Sequence, residues 1–210
     1  LYPPSVLFYL LPLPAAYGWF AALHLFLAGA FTYLLGRTLK LRRAASAFAA
    51  VTFMFCGFMV THNVFPMIIA AAVWLPLLLT VMERIVRRAE EGGSLIGQIP
   101  WAVMGALALG MVCLAGHPEM YYYVALTCAA FALWRLGGLA RRQRRWSATA
   151  RTALVLALMA ILGIGLGSAQ WLPLLELVRQ NFRTGSATLR EILGWAYPPR
   201  RIISLFLPNF

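Results

Sequence analysis

Met67-Ile68-Ile69-Ala70-Ala71-Ala72-Val73-Trp74-Leu75-Pro76-Leu77-Leu78-Leu79-Thr80-Val81-Met82 carries no charged side chain and runs straight into Glu83-Arg84 and then Arg87-Arg88. Its apolar residues do not recur at the 3.6-residue spacing of a helix lying half in water; they fill every face. Such a block approaches the ~17–25 residues that an α-helix needs to cross a bilayer. Immediately before it stands Thr61-His62-Asn63-Val64-Phe65-Pro66, polar in part but free of Lys and Arg. The block thus has a cation-rich end and a cation-free end, and the rest of the chain can be read outward from that asymmetry.

Five more blocks repeat the pattern, so that spans are predicted at about 16–36, 44–61, 67–83, 95–116, 120–136 and 152–171. Composition agrees: 62% of the 210 residues are hydrophobic and 11% charged, too few charges to cover a soluble domain of this size. The mean hydropathy is +0.77. The predicted fold is all-α, a polytopic transmembrane helical bundle of about six spans, in one domain over 1–210, with short interfacial helices outside the membrane. Residues 1–14, with Pro3, Pro4, Pro12 and Pro14 around an apolar centre, read as a partly inserted or re-entrant segment. The chain opens Leu1-Tyr2-Pro3-Pro4 without the basic stretch of a signal peptide, so an interior piece of a longer protein is expected.

The connections 37–43, 84–94 and 135–151 hold thirteen Lys and Arg, whereas 61–66 and 116–119 hold none. By the positive-inside rule the basic connections are cytoplasmic, which puts 1–15, 61–66, 116–120 and 172–210 on the extracytoplasmic side. Tyr17, Trp19, Trp101 and Trp146 fall near the predicted interfaces, as an aromatic belt requires. The net charge of +12 is therefore topological, and a nucleic-acid partner is not expected, since that needs a basic face on one folded side. Cys56, Cys113 and Cys128 lie in predicted spans without metal-ligand spacing, and the three histidines lack it too; neither a metal nor a cofactor is expected.

Three polar clusters meet the cation-free side: Thr61-His62-Asn63, Gly116-His117-Pro118-Glu119 with Tyr121–Tyr123 behind it, and Gln170-Trp171-Leu172-Pro173 leading to Glu176 and Arg179. Ionisable groups at the membrane boundary mark a site when they face a cavity; the bland alternative is ordinary helix ends in water, with Pro118 opening a helix and Glu119 complementing its dipole. Glu119 and His117 are the candidate acid–base residues, because a carboxylate or imidazole at a partly dry boundary can accept a proton. His62, Gln170, Glu176, Arg179 and Arg183 are the candidate substrate and lipid-phosphate contacts; guanidinium suits phosphate by its fork of donors. Five Arg in the tail, Arg179, Arg183, Arg190, Arg200 and Arg201, run against the topology rule, and either a phosphate seat or contact with headgroups accounts for them. Trp171, Leu174, Leu175, Val178 and Phe182 share one helix face, with Glu176, Arg179, Gln180 and Arg183 opposite. Thr188-x-x-Glu191 reads as a capping box before Pro198-Pro199. Gly163-x-Gly165-x-Gly167 reads as close helix packing and not as a nucleotide loop, and His24 as a packed, hydrogen-bonded residue.

Tyr2-Pro3-Pro4 with Leu7-Phe8-Tyr9-Leu10-Leu11-Pro12, His24-Leu25, Ser168-Ala169-Gln170-Trp171-Leu172-Pro173 with Glu176, and Leu207-Pro208-Asn209 together resemble the YfhO-type bacterial membrane proteins, across the whole chain. That family resembles the C-type glycosyltransferases. The resemblance implies a bacterial cytoplasmic-membrane protein transferring a sugar from a polyprenyl-phosphate donor to a cell-envelope polymer on the outer face. It also implies a catalytic acid in a loop upstream of residue 1, so the family's catalytic position is not carried over onto a residue of this sequence; Gln170, Glu176 and Arg179 come nearest the family pattern. A lipid or solute transporter or flippase, and a non-catalytic membrane scaffold, stand as the other readings of the same residues.

Overall fold

A computed structural model describes residues 1–143, 146–180, 188–195, 203 and 207, without the side chains of Arg142, Gln143, Arg179, Glu191, Ile192 and Trp195. The described residues are helical throughout their regular structure: α1 (Leu7–Leu10), α2 (Leu13–Thr38), α3 (Arg43–Met54), α4 (Gly57–Thr61), α5 (Pro66–Ala72), α6 (Leu75–Glu90), α7 (Ile99–Leu114), α8 (Pro118–Gln143), α9 (Trp146–Leu166), α10 (Ser168–Arg179) and α11 (Leu189–Trp195). Six stretches are long and apolar enough to cross a membrane: Leu13–Thr38, Arg43–Val64, Pro66–Glu90, Ile96–Leu114, Pro118–Arg141 and Trp146–Leu166. This is the six-span bundle of a multi-pass membrane protein. The chain groups into Leu1–Leu174, which holds all six spans, and Leu175–Phe210.

The helices start as membrane helices often do, on proline instead of a side-chain cap. Pro14, Pro66, Pro76 and Pro100 occupy the first or second helical position of α2, α5, α6 and α7, where the missing N–H has no intrahelical partner to lose. Pro118 opens α8 in the same way. The predicted spans need correction mainly at their ends. The third runs on to Glu90 and the fifth, expected over 120–136, extends to Arg141. Arg135 thus lies inside a helix and not in a loop, because two carboxylates receive it there: its guanidinium donates to Glu83 Oε2 at 2.6 Å and Glu90 Oε1 at 3.1 Å. The sixth span is Trp146–Leu166, ending before the predicted 171, since the chain breaks at Gly167 and restarts as α10.

The second and third spans are each interrupted, at Phe55–Cys56 and at Val73–Trp74. The third span is the centre of the bundle, with 67% of its apolar window buried against 11% for the fifth. Ala71, Leu78, Val81, Met82, Ile85 and Val86 from it pack on Ala106, Leu109 and Val112 of α7 and on Leu156 and Met159 of α9. Two of the three glycines foreseen as packing residues set the α7–α9 distance. A Cβ on Gly163 would lie 2.7 Å from Leu109 Cβ, and one on Gly167 would overlap Cys113 Cβ, whereas Gly165 faces open space. Backbone approach at small residues is the main packing device where lipid removes the hydrophobic drive.

The N-terminal segment is tied down by a buried polar chain. His24 Nδ1 lies 2.7 Å from Phe20 O, and since a carbonyl can only accept, this nitrogen carries the proton. His24 Nε2 therefore accepts, from Tyr2 Oη at 2.8 Å, and Tyr2 in turn accepts from Trp74 Nε1 at 3.1 Å. Every polar atom in the chain is matched, so His24 is the satisfied core residue the sequence suggests. Burial holds the Tyr2 phenol well above its usual range, against a smaller opposite effect of the Trp74 hydrogen bond.

Candidate functional site

Three ionisable residues from two separate connections meet at the cation-free end. A cavity of about 400 Å³ is lined by His62, His117, Glu119, Tyr123 and Thr127 among apolar side chains that include Phe58 and Met120. The break at Phe55–Cys56 makes this possible, since α4 sets off anew after it and carries Phe58 and His62 to the cavity.

Local hydrogen bonds fix the two imidazoles in opposite forms. His117 precedes Pro118 and accepts the Met120 N–H on Nδ1 at 3.2 Å, acting as the N-cap of α8. A neutral His117 therefore carries its proton on Nε2 and offers a donor. Gly116, with φ of +79°, makes the turn that delivers it; a side chain there would be strained. His62 does the reverse. Its Nδ1 donates to Phe58 O at 2.9 Å, the ring stacks on Phe58 with centroids 4.5 Å apart, and Nε2 is left with a lone pair. Glu119 sits in the first turn of α8, where the helix dipole favours its charge, and Tyr123 one turn on donates to its Oε1 at 3.0 Å. The cavity thus presents a carboxylate, an imidazole acceptor and an imidazole donor against an apolar wall.

Gln170 and Trp171 close the rear of the His117 turn, lining a small crevice with Gly116, His117 and Pro118. A Cβ on Gly116 would lie 3.5 Å from Gln170 Nε2, so the side-chain amide backs directly onto the turn. Trp171 Nε1 is buried there beside the Cys113 thiol, its ring edge-on to Tyr121 at 5.0 Å. Glu176 and Arg179 belong to the other grouping, where Glu176 is exposed and only the backbone of Arg179 is described. Thr188 stands just before α11, at the position the capping box gives it. Arg183, Arg200, Arg201, Phe182 and Pro198-Pro199 lie outside the described residues, so the proposed guanidinium seat is not seen. Among the described residues no Lys or Arg lines the cavity.

Two further features were not foreseen from sequence. An apolar groove of about 310 Å³ separates α8 from α9, floored by Ala125, Ala129 and Ala132 on one side and Ala153, Ala157 and Ala160 on the other. At the cation-rich end, Glu83 is buried and takes Arg87 at 2.6 Å and Arg135 at 2.6 Å, while Arg84 lies over the Trp101 ring at 5.3 Å. The i, i+4, i+7 spacing of Ala125, Ala129 and Ala132 is visible in the sequence, but not which helix faces it. No protein-family model, curated protein or solved structure matches the chain.

Proposed function

We propose that the chain forms the membrane-embedded part of a glycosyltransferase-like enzyme, taking a sugar from a polyprenyl-phosphate donor at the extracytoplasmic face of a bacterial cytoplasmic membrane. The observation that carries the reading is the convergence of His62, His117 and Glu119 on one cavity at the cation-free end. The α8–α9 groove supports it as a place for an isoprenoid tail, being apolar and lined by small alanines on both helices. In this mechanism Glu119 or His62 Nε2 takes the proton of an acceptor hydroxyl, whose oxygen then bonds to the anomeric carbon of the sugar. The bond from that carbon to the phosphate oxygen breaks, and the lipid phosphate leaves with the electron pair. His117 Nε2–H donates to an oxygen where negative charge grows, which is the kind of interaction that lowers a barrier most. Tyr123 is a positioning residue that holds Glu119. Arg179 and Arg183 remain candidates for the phosphate on sequence grounds, and an envelope polymer is the acceptor that the family resemblance implies.

A lipid or solute transporter is the second reading, favoured by the two interrupted spans, since broken helices line many transport pathways. The test uses membranes carrying the protein and a radiolabelled polyprenyl-phosphate sugar. Glu119→Gln is expected to lower transfer by roughly 10²–10⁴-fold, the range for a lost general base. His62→Gln lowers it less if Glu119 is the base, and His117→Asn, which can still cap α8, separates the donor role from folding. Transfer unchanged in all three variants removes the cavity from the chemistry; label crossing the bilayer without transfer selects the transporter.

A further inference from the structure

The cation-rich end holds a second cavity, of about 280 Å³, between the 92–98 connection and the first two turns of α9. Its lining is chiefly polar: Ser94, Gln98, Ser147 and Arg151, with the backbone of Gly92 and Gly93. Gly92 (φ +73°) ends α6 and folds the chain back over the space, its N–H bonding Ala89 O and the next bonding Arg88 O at 2.8 Å. That closure gives the cavity a roof with its own hydrogen bonds already made.

Two demands meet inside it. Gln98 is 2% exposed, and its Oε1 is buried with no donor. An amide oxygen left so costs about 1–3 kcal/mol, so whatever fills the cavity beside it must donate. Ser147 and Arg151 of α9 line the same cavity. Arg151 one turn on lies within ion-pair distance of no carboxylate among the described residues. The guanidinium calls for an anion, phosphate above all, with the Ser147 hydroxyl as a further donor. No carboxylate lines the cavity, while Glu90, in the last turn of α6, is held by Arg135. Leu95 of the lining is 44% exposed, and Ile96 and Trp146, each next in sequence to a lining residue, are 76% and 75% exposed, apolar side chains of the sort found at a bilayer interface.

We propose that this cavity binds the headgroup of a glycerophospholipid whose phosphate diester carries a neighbouring donor, an ammonium or hydroxyl as in phosphatidylethanolamine or phosphatidylglycerol. Arg151 and Ser147 hold the phosphate, and Gln98 Oε1 accepts from the headgroup nitrogen or hydroxyl. The volume is near the lower edge of the ~300–1,000 Å³ common for small-molecule sites, which suits a headgroup with its acyl chains left in the membrane. Basic pockets between spans are recurrent headgroup sites. The site lies at the opposite end from the histidine cavity and stands whether or not that cavity transfers sugars.

Native mass spectrometry of the purified protein, titrated with phosphatidylethanolamine, phosphatidylglycerol and phosphatidylcholine of identical chains, reads the outcome. Phosphatidylcholine has the phosphate but no donor. The two donor-bearing lipids are expected to be retained at about tenfold lower concentration than phosphatidylcholine, as one hydrogen-bonded contact of ~1.4 kcal/mol gives. Arg151→Gln should weaken all three lipids, and Ser147→Ala should do so more mildly with no burden on the fold. Gln98→Leu should abolish the preference alone, with an unchanged melting curve as the control for folding. Equal retention of phosphatidylcholine, or an Arg151→Gln protein that binds as before, overturns the site. Displacement of the lipid by equimolar glycerol 3-phosphate overturns the lipid assignment in favour of a free phosphate ester.

Discussion

Replacing Arg135 by Met keeps a side chain of similar length over α8 and removes only the charge. The carboxylate it leaves behind is the issue. Glu83 has 4% of its side chain exposed and receives three bonds: Arg87 at 2.6 Å and Arg135 at 2.6 and 3.2 Å. Taking away one partner of a buried pair costs about 3–5 kcal/mol, because the remaining charge cannot reach water. Arg87 still holds one oxygen, which argues for the lower end, about 3 kcal/mol. Glu90, a quarter exposed, loses a partner too, yet a carboxylate that can be hydrated contributes little. A loss of 3 kcal/mol lowers the folded-to-unfolded ratio roughly 150-fold. Reversible unfolding in mixed micelles measures it, and a cycle with Glu83→Leu isolates the pair. The double variant should recover most of the loss, since an apolar pair of similar volume is often no worse than a buried ion pair. Arg135→Met within about 0.5 kcal/mol of the unaltered protein, with no coupling to Glu83, would refute the claim that these charges clamp α6 to α8.

The glycine pattern of α9 predicts a sharp contrast. Gly163→Ala, with Leu109 Cβ 2.7 Å from the added atom, and Gly167→Ala, against Cys113, should each cost about 1–3 kcal/mol in the same unfolding assay, while Gly165→Ala changes stability little. Tyr2→Phe leaves His24 Nε2 without a donor and Trp74 Nε1 without an acceptor, for a loss of about 1–3 kcal/mol. The same phenol sets a pH dependence. Its folded pKa is raised, so its contribution is complete below the ordinary value of 10.0 and drains away as pH climbs above that. Unfolding midpoints followed from pH 8 to pH 11 should fall at the alkaline end for the unaltered protein and stay flatter for Tyr2→Phe.

The fold was legible because lipid leaves few options: uncharged blocks of this length read as spans. Span ends were less legible. Counting charge placed Arg135 in a loop, and only the positions of Glu83 and Glu90 on another helix explain why α8 carries it into the bundle. The site was legible residue by residue and not as a whole. His62 and His117 are 55 positions apart, and nothing in a single sequence says that α4 and the start of α8 share a cavity. The pairing of Tyr123 with Glu119 was visible at i, i+4, the spacing of neighbours on one helix face. Neither Gln98 nor Ser147 pointed to a site, since an isolated amide and hydroxyl in or near a span are ordinary until a shared cavity brings them together.

Helix α8 links these observations. Its first two turns supply Glu119 and Tyr123 to the histidine cavity, and its middle is set back from α9 by the alanine groove. A helix so loosely packed along one side needs a fixed point elsewhere to hold its first turn in register with His62. The fixed point is Arg135, sixteen residues on and about 24 Å away at 1.5 Å per residue, where Glu83 and Glu90 grip it from the most buried span. The groove can then open or fill with an apolar chain while the carboxylate keeps its place. On this argument the ion cluster at one end is what allows a deformable, lipid-facing helix to carry a precisely positioned acid at the other, and loosening Arg135 should disturb the cavity before it disturbs the α7–α9 core.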